Sequence, residues 1–257
     1  MVEPSLSRPL PGPLAVRRAR KIRRAWPKPG TKRAEVPVVD GFDLMLAPGV
    51  VPPLPVFGYS PASFLGRNLD ARHGERVLDL CASGGLAGLH AAKRGASVAA
   101  ADPDPNVLLA ARRSFLLAGF GEPELRDGSG FAAFPGESFE VVAWTPPWLA
   151  GTPAGPTDSG LLRPSQQAFA DVLDAASAAL GRGGRVVFPF PDRDAHGWML
   201  ELLTQRGWRF AAVVRERFAV VGPVRVWRAW RPEPGASAGP VPTGDALPGA
   251  AWVLRDR

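Results

Sequence analysis

From Glu75 onward the chain alternates between short continuous apolar runs and longer stretches whose apolar residues recur every three to four positions. Val77–Leu80, Ser97–Ala101, Phe139–Trp144 and Arg185–Phe190 read as strands covered on both faces, and Glu124–Arg126 reads as a short strand that stops at Asp127. Between them, Leu86–Lys93, Asn106–Ala118, Gln166–Leu180 and Ala195–Gln205 carry the helical period. It is clearest in Leu108, Ala111, Phe115 and in Phe169, Leu173, Ala176, Leu180. Gly95, Gly119 and Gly181 stand where helices should stop. Two more strands, about Arg209–Glu216 and Val224–Trp230, have no helix between them, so they are predicted to pair antiparallel. Strands that alternate with helices predict an α/β fold: a doubly wound, mostly parallel sheet with helices on both faces. Counted along the chain, that sheet has seven strands and an antiparallel final one.

The pattern divides the rest of the chain. Residues 36–70 read as short strand pieces, a loop containing Pro48, Pro52, Pro53 and Pro55, and a helix from about Pro61 to Leu69. Ser60 suits the cap of that helix and Pro61 its first turn. This segment is expected to cover one side of a ligand crevice above a core at 71–231. Residues 1–35 are broken by proline and supply little apolar surface, so they are expected to form a mobile arm. Residues 232–257 are rich in Pro, Gly and Ala without a period; Ala251–Leu254 could add an edge strand.

Composition changes this picture little. A chain of 257 residues, 46% hydrophobic and 21% charged, can bury one sizeable core. The single cysteine, Cys81, excludes an internal disulfide framework and a cysteine metal cluster. No apolar run approaches the roughly 18 residues that span a bilayer. The start lacks the charged-then-apolar pattern of a secretory signal, so a cytoplasmic location is expected.

Charge changes it more. The formal net charge is +7. Residues 1–35 carry ten Lys or Arg against two Glu, and 206–231 carry seven Arg against one Glu, while 36–205 sum to −6. Basic residues between 17 and 33 could tether RNA, a ribosome or another acidic partner, or could simply solubilise the arm. Arg215, Arg217, Arg225, Arg228 and Arg231 alternate with apolar residues. That is the pattern of a strand that meets a phosphate backbone, and equally of a solvated sheet edge.

The chemically distinctive residues all follow strands, where open α/β sheets bind ligands. Asp79 is followed by the small-residue turn Cys81-Ala82-Ser83-Gly84-Gly85, which opens a helix. Asp102 closes the second strand, with Pro103 next, and Asp127 closes the third, with Gly128 next. A carboxylate at the end of the second strand can accept both hydroxyls of a ribose. An NAD site would want Gly-x-Gly-x-x-Gly with a pyrophosphate on the helix N-terminus. Here Cys81, Ser83 and Gly85 alternate, and no basic residue stands in the turn. Three carboxylates fit a nucleoside with a cationic, phosphate-free end better than a dinucleotide.

Val77-Leu-Asp-Leu-Cys-Ala-Ser-Gly-Gly85 resembles motif I of the class I S-adenosylmethionine-dependent methyltransferases, usually Val-Leu-Asp-x-Gly-x-Gly-x-Gly. The resemblance covers about residues 72–231 and includes the acidic strand ends and the antiparallel final strand. It departs at Cys81 and Ser83, each of which adds a Cβ where the pattern has glycine. The resemblance implies S-adenosylmethionine as cofactor. It would be held by Asp79, Cys81, Ala82, Ser83, Gly84, Gly85, Asp102, Pro103, Asp127, Gly128 and Thr145.

The stretch Thr145-Pro146-Pro147-Trp148 follows the fourth strand. It resembles the Asn/Asp/Ser-Pro-Pro-aromatic motif of methyltransferases that act on planar nitrogens, either exocyclic base amines or glutamine amides. The lone pair of such a nitrogen is delocalised. A polar side chain and the carbonyl after it can accept its two N–H bonds and aim the lone pair at a methyl donor. The aromatic ring can stack on the planar group. Thr145 stands where Asn or Asp is usual. The alternative is that Pro-Pro ends a strand and Trp148 packs at a rim.

The order of the two motifs matches the HemK-like and small-domain group. Its release-factor enzymes carry Pro-Arg-Pro-x-Thr-Glu before the core, whereas this chain has Pro53-Leu-Pro-Val-Phe-Gly58. The implied methyl acceptor is a protein or a nucleic acid, with no membrane partner. The rivals are a small-molecule methyltransferase, a non-catalytic RNA- or ribosome-associated factor with a degenerate turn, and an NAD(P) oxidoreductase. His73, His90 and His196 lack metal-ligand spacing and read as packing or surface residues.

Overall fold

A computed structural model describes residue 21 and residues 36–48, 53–55, 57–80, 83–146, 166–192 and 196–232. The other residues of the arm, the tail beyond 232 with its candidate strand Ala251–Leu254, and Cys81, Ala82, Pro147, Trp148, Pro52 and Ala195 lie outside the described residues.

Seven strands form one sheet in the order β5-β4-β3-β6-β7-β9-β8. They are β3 (Arg76–Asp79), β4 (Ser97–Asp102), β5 (Glu124–Asp127), β6 (Phe139–Ala143), β7 (Leu180–Pro191), β8 (Arg209–Phe218) and β9 (Gly222–Trp230). The first five are mutually parallel, and β9 runs antiparallel to both β7 and β8. Among the described residues the sheet is covered by the helices α1 (Pro61–Asn68), α2 (Leu86–Lys93), α3 (Pro105–Leu117), α4 (Gln166–Ala179) and α5 (His196–Gln205). A two-stranded ribbon, β1 (Val38–Val39) and β2 (Phe42–Asp43), precedes them. Among the described residues, no helix is long and apolar enough to cross a membrane.

The central strands are apolar on both faces because both faces are covered. Val77, Leu78, Val141, Val142, Val186 and Val187 are fully buried. On one face an aromatic cluster joins β6 and β7 to α4 and α5. Trp144 lies 4.6 Å from Phe169 and 6.0 Å from Phe188, and Trp198 stands edge-on to Phe169 and Phe190. On the other face α1 is capped by Ser60, whose hydroxyl accepts from the Ser63 amide and donates to the Pro53 carbonyl at 2.7 Å.

Three expectations need correction. Leu180 has the helical spacing of α4 but belongs to β7, where it pairs with Phe139 before the register shifts. β7 therefore starts five residues earlier than its apolar run, because Gly181, Gly183 and Gly184 read as a turn yet extend the ladder. The buried face of α3 is Val107, Ala110, Ala111, Ser114 and Phe115, with Leu108 at its margin.

The amino ends of the parallel strands are tied by ion pairs. Arg185 is buried, and its guanidinium donates to Asp70 Oδ1 at 2.8 Å and to Glu75 Oε1 at 2.8 Å. Asp70 also receives Arg228 at 3.0 Å. Arg76 and Arg126 share Glu124 and Glu137. The bonds from Arg185 hold the Glu75 carboxyl below its ordinary range.

Candidate functional site

The chain leaves β3 toward β4 and β5 on one side, then returns to place β6 on the other side of β3. The gap between β3 and β6 is thus the topological switch point, where open sheets leave a crevice. The register fixes what stands around it. Asp79 pairs with Ala100 on β4 and with Ala143 on β6, and Asp102 pairs with Asp127. Asp102, Asp127 and Thr145 therefore all stand two residues beyond the level of Asp79. Asp127 and Thr145 are three strand spacings apart, on the order of 14 Å, enough to bracket an elongated ligand.

Asp79 is buried, and its Oδ2 accepts the Gly88 amide in the first turn of α2 at 3.0 Å. This bond anchors the turn between β3 and α2. Within the turn Gly84 (φ 68°) and Gly85 (φ 77°) are both left-handed, which side chains with a Cβ resist. A Cβ on Gly84 would lie 3.0 Å from Leu44 Cγ, and one on Gly85 would lie 3.2 Å from the Phe115 ring. The turn is therefore a bare-backbone cradle packed from behind.

Asp102 is partly buried, and this desolvation pushes its carboxyl above the ordinary aspartate range. The Asp104 amide, donating to Asp102 Oδ1 at 2.8 Å, offsets part of that effect. Asp104 in turn caps α3 through the Asn106 amide at 2.9 Å. Pro103 is exposed between the two carboxylates. Asp127 is exposed, and Gly128 (φ 128°) follows it with its amide 3.4 Å from the Asp102 carbonyl.

On the far side of the switch point, Trp144 is locked in the aromatic cluster, and its backbone amide donates to the Val187 carbonyl at 3.0 Å. The strand end that delivers Thr145 and Pro146 is thereby rigid. Thr145 is partly exposed and Pro146 buried. The fold thus brings Asp79, Ser83–Gly85, Asp102, Pro103, Asp127, Gly128, Thr145 and Pro146 to one end of one sheet. Cys81, Ala82, Pro147 and Trp148 lie outside the described residues.

Sequence reasoning did not find the residues that support the turn from behind. Leu44 and Leu46 are buried against Gly84. The Met45 amide between them donates to Ser114 Oγ at 2.9 Å. Upstream, Asp40 Oδ2 accepts the Ser63 hydroxyl at 2.6 Å and lies 3.0 Å from His90 Nε2. Burial works to raise the Asp40 carboxyl, and the bonds from His90 and Ser63 outweigh it and leave the group below its ordinary value. His90 is a packing residue, as expected, but with a specific polar partner. Among the described residues no group of three His, Cys, Asp or Glu side chains could hold a metal ion.

The fold has counterparts among solved structures. Trm5b from Pyrococcus abyssi superposes with a TM-score of 0.53 at 17% identity, covering 76% of this chain and 55% of its own. A methyltransferase from Pyrococcus furiosus superposes with a TM-score of 0.54 at 18% identity, covering 74% of this chain and 90% of its own. The fold is that of the class I methyltransferases. This chain thus spans little more than half the length of Trm5b. No protein-family model matches the sequence, and no curated protein matches it.

Proposed function

We propose that the protein is an S-adenosylmethionine-dependent methyltransferase whose acceptor is a planar nitrogen, a protein glutamine amide or an exocyclic base amine. The observation that carries this reading is the row of strand ends. The glycine turn and the carboxylates Asp79, Asp102 and Asp127 stand on and to one side of the switch point, and Thr145–Pro146 stands on the other. The row fits S-adenosylmethionine on its donor chemistry: left-handed glycines let a ligand lie against backbone, and the strand ends offer carboxylates. The order of the two motifs further supports a place in the HemK-like, small-domain group.

In this reading Asp79, Cys81, Ala82 and Ser83 with Gly84 and Gly85 form the cradle for the amino-acid end. Asp102 and Pro103 take the ribose, and Asp127 and Gly128 lie at the base end. The cofactor supplies a methyl group on a cationic sulfur. Asp102, as a carboxylate, accepts hydrogen bonds from the ribose hydroxyls. Thr145 Oγ1 and the carbonyl of Pro146 accept the two N–H bonds of the acceptor nitrogen and aim its lone pair toward the cradle. Pro146 and Pro147 stiffen that loop, and Trp148 stacks on the planar group. The methylated nitrogen then loses a proton to solvent water, and until it leaves Thr145 accepts a hydrogen bond from that N–H.

Calorimetry with S-adenosylmethionine tests the first half of the reading; no heat at millimolar cofactor would sink it and favour a non-catalytic factor. Transfer of labelled methyl into fractionated lysate tests the second half, scored as protein, RNA, DNA or small molecule. Label confined to small molecules would retire the planar-nitrogen acceptor on a macromolecule.

A further inference from the structure

The strand-end row changes sign along its length. From β5 to β3 its side chains are Asp127, Asp102 and Asp79; beyond Thr145 it continues into an arginine cluster. Ala143 pairs with Val187 on β7, so the level of Thr145 is that of Pro189, which pairs with Val226. Arg225 pairs with Phe190 and with Arg215, one residue higher. Arg217, opposite Pro223, stands higher still. Arg215 and Arg217 alternate with Glu216 and so share a face of β8, and Arg225 joins that face from β9. Asp192, at the end of β7, holds Arg215 Nε at 2.9 Å and Arg225 Nε at 3.0 Å. One carboxylate thus orients two guanidinium groups and leaves the cluster positive. Arg217 is exposed, and no carboxylate among the described residues pairs with it.

We infer that this arginine rim holds the phosphodiester backbone of a nucleic-acid strand, and that the acceptor nitrogen is a base amine of that strand. The inference rests on the methyl-transfer reading only for the identity of the delivered atom. Arg225 is two strand spacings from the strand that carries Thr145, on the order of 10 Å, and Arg215 and Arg217 are one spacing further. A base placed at Thr145 brings phosphates on its own strand along the same rim. A glutamine amide brings no obligatory anion, so the cluster would be idle for a protein acceptor. Arginine forks match phosphate oxygens in pairs, and three arginines on one face track a backbone without reading its bases.

The test uses the full chain and a fluorescent single-stranded RNA oligonucleotide, with DNA of the same sequence in parallel, titrated by anisotropy across a salt series. The unmodified protein is expected to bind with steep salt dependence. The double variant R215A/R217A is expected to bind about tenfold or more weakly, with a log–log salt slope shallower by about one to two. R217A alone breaks no ion pair and is expected to lose about half of that effect with its thermal unfolding unchanged, which separates binding from folding. A preference between RNA and DNA names the polymer; comparable binding of both supports a backbone rim equally. Affinity and slope unchanged in the double variant overturn the inference, as does polyglutamate competing as effectively as RNA. Calorimetry with S-adenosylmethionine on the same samples keeps the two readings apart. Absent strand binding in the unmodified protein, with cofactor binding intact, condemns the rim alone; absent cofactor binding in the unmodified protein condemns the methyl-transfer reading alone.

Discussion

The two ends of the parallel strands solve opposite problems. At the amino ends, charges neutralise one another: Arg185 is buried between Asp70 and Glu75, and Arg76 pairs with Glu124 and Glu137, to which Arg126 also pairs from near the carboxyl end of β5. At the carboxyl ends, Asp79 and Asp102 accept backbone amides, and Asp127 stands exposed. Guanidinium partners close the first end against ligands. Backbone amides fix a carboxylate's position without cancelling its charge, so the second end stays chemically open. The same sheet thereby separates the residues that hold it together from the strand-end carboxylates of the proposed site.

The largest expected effect lies at the closed end. Replacing Arg185 with Met leaves Asp70 and Glu75 without their central partner, and chemical unfolding should report a loss of about 3 kcal/mol. Cofactor affinity measured below the transition should stay within about twofold; a large affinity loss without unfolding would erase the separation of roles. At the open end, Thr145→Ala should lower turnover about 100-fold while leaving the cofactor dissociation constant nearly unchanged. Equal losses in both would remove Thr145 from the acceptor side. Gly84→Ala forces a Cβ onto a left-handed residue against Leu44 and should weaken cofactor binding about tenfold, read by calorimetry.

The smallest effects are the acid titrations: both contributions are lost as pH falls, with pKa displacements of opposite sign at the two ends. Burial raises the Asp102 carboxyl, so cofactor affinity should start to fall at a pH above the ordinary aspartate range, and Asp102→Asn should flatten that profile. Glu75 is depressed by Arg185, so its stabilising contribution is complete above the ordinary glutamate range. It is lost as pH falls through the depressed value. An unfolding series in which Glu75→Gln leaves the acid slope of stability unchanged would contradict that assignment.

Most of the strands were legible because burial on both faces leaves a continuous apolar run, as in Val77–Leu78 and Val141–Ala143. Part of the strand-end chemistry was legible for the same reason: Asp102 interrupts the apolar run Val98–Ala101 where its strand stops. What escaped is what apolar periodicity cannot encode. Ser114 is polar, so a hydrophobic count passes over it, yet it is fully buried and bonded to Met45, 69 residues away. Arg185 reads as the polar start of a strand, and its partner Asp70 is 115 residues distant. Leu44 and Leu46 sit in a stretch too short to show a period, and only packing reveals that they support Gly84. The arginines of β8 and β9 had two equal readings, and the register separates them: Arg228 turns to Asp70, while Arg215, Arg217 and Arg225 share the other face.

At Gly66 the helices α1 and α2 meet so closely that a Cβ would stand 2.3 Å from His90 Cδ2. His90 faces Asp40, and Asp40 begins the segment whose leucines back the glycine turn. In evolutionary terms, position 66 is mortgaged to a turn it does not touch. A library randomised at that codon and selected for function should return glycine about as stringently as one randomised at Gly84, although one site lies within a helix and the other in the cradle.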